Sequence, residues 1–287
     1  MKFIDLHTHG LAGFDSRSDK PEDYLKWAAA MKTHGTDEFL PTLFPGPVDV
    51  MRGQLAAIRG AMSEQASSLP AGTAVILGAN LEGPFVNSRR KGALGEFFLP
   101  PSVDNLRRLL DGFEDMVKVI TVAPELPGAL ELIEYCADIG IVVSMGHSEA
   151  TFEQAREGAA AGARGVTHLF NAMSGLHHRE PGLAGYALMD DDLYVELIAD
   201  GVHVHPEMVR LVLKLKPADK ILLVSDSLGQ AKTPAHTEPT PLYLPDGVTL
   251  AGGGLTLAEC AHRLTLLGIP EESARKFTSE NPEKYLV

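Results

Sequence analysis

Eight short apolar runs of strand length recur along this chain, at 3–6, 36–43, 74–81, 117–122, 141–145, 165–170, 194–199 and 221–225. They are near-continuous rather than strictly alternating, the pattern of strands covered on both faces in a parallel sheet. Helical patterns separate them. The segment 21–34 opens with Pro21 in its first turn and closes at Gly35; 128–139 stops at Gly140, 151–161 stops at Gly162, and 206–215 ends before Pro217. Proline at the start and glycine just past the end are the expected helix punctuation. Eight strand–helix units predict a single TIM-type (β/α)8 barrel of the α/β class, an architecture that takes ~250 residues. A doubly wound open sheet is the competing architecture, but no GxGxxG follows the first strand and no Walker loop occurs. One domain over residues 1–287 is therefore expected. A small hairpin near 241–250 turns at Asp246-Gly247, and a last helix follows over 256–267. Two long connections, 83–101 and 172–185, are irregular enough to be expected at the site rather than idle.

Charge narrows the function classes. Twenty-five Lys and Arg against 38 Asp and Glu leave a formal charge of −13, which argues against a nucleic-acid or anionic-membrane partner. Cys136 and Cys260 form no CxxC and no disulfide framework, and both fall in apolar helical patterns, so buried thiols in a reducing compartment are expected. The opening MKFIDLHTHG lacks the basic-then-apolar pattern of a secretory leader, and no apolar run approaches the ~18–20 residues of a membrane span. A cytoplasmic location is the expectation.

The eleven histidines carry the chemistry. The first run leads into His7-Thr-His9, the third into Glu82, the fifth into His147, the sixth carries His168, the seventh leads to Asp200 and His203, and the eighth to Asp226. In a barrel those strand ends converge on one mouth. Two histidines two residues apart on a strand point to one face, and neutral imidazoles there can hold a divalent ion at ~2.0–2.1 Å. Glu82 is placed to bridge that ion to a second one held by His147 and His168, with Asp226 across the mouth as a base or further ligand. His203 is a candidate donor to a substrate or to a developing oxyanion.

The motifs LEGP (81–84), APE (123–125), GHS (146–148), THLFNAM (167–173), REPGLAG (179–185), ADGVH (199–203) and SDS (225–227) resemble the N-acetylglucosamine-6-phosphate deacetylases of the amidohydrolase superfamily. The resemblance runs from about Phe3 to Pro282. It implies a metal-dependent hydrolase that removes the N-acetyl group from an amino sugar phosphate, N-acetylglucosamine 6-phosphate and water giving glucosamine 6-phosphate and acetate. By motif match, Glu82, His147 and His168 hold the main ion. His7 and His9, present in only part of the family, add a second ion to the expectation, and Asp226 is the acid/base. One or two divalent ions are expected per chain, with zinc the default and iron or manganese compatible with the same ligands. Arg179 is matched to the substrate phosphate, Asn171 and Ala172 to the sugar, and the turn Leu250-Ala251-Gly252 to its cover.

Two departures from the family accompany this. The loop that commonly reads KGAH is Lys91-Gly92-Ala93-Leu94 here, so Ala93 remains a substrate contact while an apolar side chain replaces a donor. The family's small β-sandwich has no counterpart in the sequence, which predicts a bare barrel and a homodimer as cover for its exposed faces. An amidohydrolase acting on another N-acylated sugar or small amide is the alternative reading, as is an inactive metal- or sugar-binding barrel.

Overall fold

The computed structural model describes residues 2–68, 70–231 and 241–287. Eight parallel strands follow one another around a barrel in chain order: β1 (Ile4–Thr8), β2 (Glu38–Leu43), β3 (Ala79–Leu81), β4 (Val117–Val122), β5 (Val142–Met145), β6 (Gly165–Val166), β7 (Tyr194–Leu197) and β8 (Ile221–Leu223). A helix follows each: α1 (Pro21–Thr33), α2 (Val48–Ser67), α3 (Val103–Leu110), α4 (Ala129–Asp138), α5 (Phe152–Ala160), α6 (Gly182–Met189), α7 (Pro206–Leu215) and α8 (Leu257–Leu266). The expected α/β barrel is the fold. The helices lay their apolar faces on the outside of the sheet and bury Trp27, Phe39, Leu55, Leu106, Ile133 and Cys136 in one continuous core. Both cysteines are free and buried. No helix among the described residues is long and apolar enough to cross a membrane.

The strands are shorter than their apolar runs at several places, for local reasons. The third run splits into Val75–Ile76 and β3, because the chain steps at Gly78 (φ +147°), where a Cβ would lie 2.3 Å from the Met116 carbonyl oxygen. The sixth run pairs only at Gly165 and Val166 and then turns, with His168 and Phe170 in left-handed backbone. Helices α2, α3 and α6 were not marked by the sequence patterns, and α6 occupies the end of the long 172–185 connection. Beyond the barrel, Leu242–Tyr243 pairs antiparallel with Leu250–Gly252, the hairpin expected over 241–250.

Closure of the barrel is unusual in one respect. No strand ladder joins β8 to β1. Instead the Asp226 amide donates to the His7 carbonyl (2.9 Å) and the His9 amide to the Ser227 carbonyl (2.8 Å). The buried Asp5 carboxylate accepts from the amides of His7 (3.4 Å) and Ser225 (3.3 Å) across the same seam. The residues that close the barrel are thus those that carry the candidate ligands.

The lumen is filled in layers. Ile4, Leu6, Leu40, Val119, Val142, Tyr194 and Leu222 form an apolar floor with Tyr285 from the C-terminal helix (Asn281–Tyr285). Tyr285 enters because β6 offers Gly165; a Cβ there would lie 2.4 Å from the tyrosine oxygen. Asn281 Nδ2 pins the helix by donating to the carbonyls of Ala218 (2.9 Å) and Ile221 (2.7 Å). Above the floor, Asn80 on β3 donates to the Leu6 carbonyl on β1 (2.9 Å), and Thr121 bonds Thr167 (3.0 Å). These pairs skip a strand, so they cross the lumen. The histidines and carboxylates sit above them.

Candidate metal centre

Strand ends bring six groups together at the mouth. Glu82 Oε1 lies 2.9 Å from both His147 Nε2 and His168 Nε2, which are 3.1 Å from each other. Its other oxygen lies 3.1 Å from His9 Nε2, and His7 Nε2 is 3.5 Å from Oε1. Asp226 Oδ1 stands opposite, 3.4 Å from His9 Nε2 and 3.6 Å from His7 Nε2. All six side chains are buried or nearly so, and they resolve into two sets that could hold an ion: His7, His9 and Glu82, and Glu82, His147 and His168. His147, His168 and Asp226 all have positive φ (47°, 30° and 49°). Left-handed backbone is costly for such residues and marks sites where the fold over-determines geometry; here it turns each side chain off its strand and over the lumen.

Whether this donor set fits a cation is decided by the far side of each imidazole. His9 Nδ1 is 2.9 Å from the Thr42 carbonyl and His147 Nδ1 is 2.7 Å from the Arg90 carbonyl. A carbonyl only accepts, so each Nδ1 carries the proton and, in the neutral ring, each Nε2 presents a lone pair. Those lone pairs aim at the oxygens of Glu82, which also only accept when ionised. Acceptors at 2.9–3.1 Å repel unless a positive charge lies between them. Tetrahedral ligands at zinc bond lengths stand about 3.3 Å apart, close to the separations here. The donor set fits a divalent ion.

The same crowding shifts the pKa values of these groups. Burial acts to raise the Glu82 carboxyl, and the imidazoles of His147 and His9 hold it well below the usual carboxylate range. Burial likewise acts to raise Asp226, and its contact with His9, then the charge of His7, brings it below the ordinary value. Burial acts to lower His7, while the Glu196 and Glu82 carboxylates hold it well above the ordinary histidine value.

Asp226, Glu82, His9, His147 and His168 face a cavity of about 280 Å³. Its remaining wall includes Phe44, Ala93, Leu94, Asn171, Ala172, His203, Leu250, Ala251 and Gly252. The ring of Phe44 stacks on His9 at 3.8 Å. His203 is held by Asp200, whose carboxylate accepts from Nδ1 (2.7 Å) and from the backbone amides of Val202 and His203 (both 2.8 Å). Burial acts to lower His203, and its bond to Asp200 raises it above the ordinary histidine value.

Every sequence-predicted substrate contact lines the cavity except Arg179. That side chain is exposed in a neighbouring groove with Arg90, Glu149 and His177, one guanidinium nitrogen 2.8 Å from His178 Nε2. Among the described residues no lysine or arginine lines the cavity itself.

Residues 2–251 match the amidohydrolase family. The chain belongs to that family. It is 35% identical over 298 residues to the N-acetylglucosamine-6-phosphate deacetylase of Bacillus subtilis, covering 99% of this chain and 74% of the relative. It is 37% identical over 233 residues to the N-acetylgalactosamine-6-phosphate deacetylase of Escherichia coli O157:H7, covering 81% of this chain and 60% of that protein. Among solved structures, the Mycobacterium smegmatis N-acetyl-D-glucosamine-6-phosphate deacetylase, a mutant in complex with N-acetyl-D-glucosamine-6-phosphate, superposes with a TM-score of 0.88 at 27% identity, over 99% of this chain and 77% of that one.

Sequence reasoning missed one carboxylate that stands behind the candidate ligands of this amidohydrolase. Glu196, inside the apolar run of β7 and 1% exposed, accepts from His7 Nδ1 (2.9 Å) and from the His168 amide (3.2 Å). Its signal was a single carboxylate in the middle of a strand buried at every position.

Proposed function

We propose that this amidohydrolase cleaves the acetamide of an N-acetylhexosamine 6-phosphate, releasing acetate and the free amine, with N-acetylglucosamine 6-phosphate as the substrate. The observation that carries the reading is Glu82 shared between two histidine pairs with Asp226 facing it, at the floor of a cavity of about 280 Å³. Glu82, His147 and His168 would hold one divalent ion, and His7 and His9, through Glu82, a second. Such an ion would polarise a carbonyl and lower the pKa of its water to about 7.

The chain's own groups supply the proton movements. Asp226 is kept ionised, so at neutral pH it can take a proton from the attacking water. It then returns that proton to the departing amine nitrogen, the step without which a C–N bond does not break at a useful rate. His203, its Nδ1–H committed to Asp200, has only Nε2 to offer the cavity; the raised pKa favours Nε2–H, a donor for the oxygen on which charge develops. Ala93, Asn171, Ala172 and the 250–252 turn enclose the sugar.

The phosphate is supported by the relatives more than by the cavity, which has no Arg or Lys side chain of its own among the described residues. Arg179 is the assigned phosphate partner, from the neighbouring groove. The match to an N-acetylgalactosamine-6-phosphate deacetylase favours a second reading, the C4 epimer. Acetate release from both 6-phosphates and from unphosphorylated N-acetylglucosamine, with metal content quantified, tests all three points. Fast release from the glucosamine 6-phosphate derivative supports the proposal; faster turnover of the C4 epimer replaces the substrate. Equal loss on phosphorylated and free sugar in Arg179→Ala removes its phosphate role, and no release from metal-loaded protein overturns the reading.

A further inference from the structure

Glu196 is a buried carboxylate that the reaction does not use and that packing does not explain. Its Oε2 takes two donors belonging to two different candidate ligands, the His7 ring and the His168 backbone. Its Oε1 is buried with no hydrogen-bond partner. An ionised carboxylate with one unpaired oxygen costs free energy in a protein interior unless positive charge lies nearby. Among the side chains bonded to it, only His7 can transmit such charge, and the other ring nitrogen of His7 has no hydrogen-bond partner and faces Glu82 and Asp226.

We propose that Glu196 is the positioning residue for the ion bound through His7: it fixes the His7 tautomer with Nε2 free, aims that ring, and so decides whether the centre keeps a second ion. The proposal rests on the metal reading above. A carboxylate behind a ligating imidazole orients the ring and makes it a better donor, and loss of such a partner lowers metal affinity by about 10–100-fold. The same oxygen ties down the His168 amide, so the backbone that carries a ligand of the other set is held to His7's support across β8.

The contrast with the other histidines sharpens the assignment. His9 and His147 are backed by neutral backbone carbonyls, and His168 Nδ1 has no hydrogen-bond partner. Within the two candidate sets only His7 is backed by a carboxylate outside the cup. A charge placed behind one of the four histidine rings is expected to act on the ion that this ring holds rather than on both.

The test is metal titration of the full chain, with the wild type, Glu196→Gln and His7→Ala stripped of metal and reloaded with Zn2+ against a chromophoric chelator. The absorption spectrum of the Co2+-loaded proteins is recorded in parallel, and far-UV circular dichroism checks the fold. Glu196→Gln keeps the shape and removes the charge. The expected result is two equivalents in the wild type, with one ion weakened about 10–100-fold in Glu196→Gln, the same ion that His7→Ala loses, and a Co2+ spectrum altered for that ion alone. If Glu196→Gln holds both ions as tightly as the wild type while His7→Ala loses one, the proposal is overturned and the metal reading stands. If Glu196→Gln weakens both ions equally, the selective role is overturned. A wild type whose ion binding is indifferent to His7 overturns it too, and one that binds no ion overturns the metal reading along with it. Should Glu196→Gln misfold, Glu196→Asp, which keeps the charge and retracts it, must still weaken the His7-dependent ion selectively.

Discussion

The two ends of the barrel are built on opposite rules. At the N-terminal end the lumen is closed by apolar side chains and Tyr285, and β6 gives up a side chain at Gly165 to admit the ring. At the C-terminal end the strands stop early, the candidate ligands His147 and His168 and the candidate base Asp226 adopt left-handed backbone, and buried carboxylates face buried imidazoles. One end is complementary to itself; the other presents a donor set that fits a cation, open to a cavity. Stability and chemistry are thereby separated along the barrel axis, although the seam between β8 and β1 links them, because His7, His9 and Asp226 close it through their backbones.

Substitutions at the two ends should therefore fail in different ways. Asp226→Asn is expected to have the largest effect on turnover, a loss of about 10²–10⁴-fold in kcat, the range of general acid–base catalysis. Metal content and thermal midpoint should stay near wild type; a variant that loses its metal instead would show that Asp226 is chiefly a ligand. Tyr285→Ala should do the reverse. Deleting a large buried ring costs about 3–5 kcal/mol, which lowers the thermal midpoint by about 5–8 °C in a chain of this size. Metal affinity of the folded fraction should be retained, and a Tyr285→Ala protein that melts normally but binds no metal would break the separation.

Gly165→Ala sharpens the same point at smaller cost. The added methyl meets the Tyr285 oxygen, and overpacking of a core typically costs about 1–3 kcal/mol. Combining it with Tyr285→Phe should recover part of that loss in a chemical denaturation series, since ring carbons at 3.0 and 3.1 Å remain; no recovery would mean the hydroxyl adds nothing to the collision.

An effect of similar size belongs to the Asp200–His203 pair, at about 1.5–3 kcal/mol for a hydrogen bond between charged groups. His203 is raised in the folded state, so its contribution is fully present below the unfolded histidine value of ~6.5 and lost as pH climbs through the raised one. Asp200 is lowered, so its contribution is present above the unfolded value of ~3.9 and lost as pH falls through the folded one. The gap in thermal midpoint between wild type and Asp200→Asn should accordingly be widest between about pH 4 and 6.5 and narrow on the alkaline side. A gap that is flat across pH 5–9 would show that the bond is neutral.

Much of this molecule is legible in one dimension. Eight apolar runs and their glycine and proline stops state the barrel, since a parallel strand covered on both faces has no polar face to show. Glu82, His147, His168, His7, His9 and Asp226 are legible because each lies near the end of an apolar run or just past it, and a barrel delivers strand ends to one mouth. Strand length was less so: His168 and Phe170 lie in an apolar run yet turn out of the sheet, and outside glycine residue type announces a left-handed backbone only weakly.

Three matters were settled only in three dimensions. Glu196 supports His7 across a strand, and a chain position cannot reveal which ring stands behind which carboxylate 189 residues away. Arg179 shares a motif with the site but lies in another groove, because the 172–185 segment leaves the cavity after Ala172 and ends in α6. The closing seam has no ladder at all, so the barrel is completed by Asp5 and by the backbones of the candidate ligands. Hydrophobic order along the chain determines which segments are strands and where their ends go; distances of 3 Å between groups on different strands are set by how those strands tilt, stop and turn, and that is a property of the packed barrel alone.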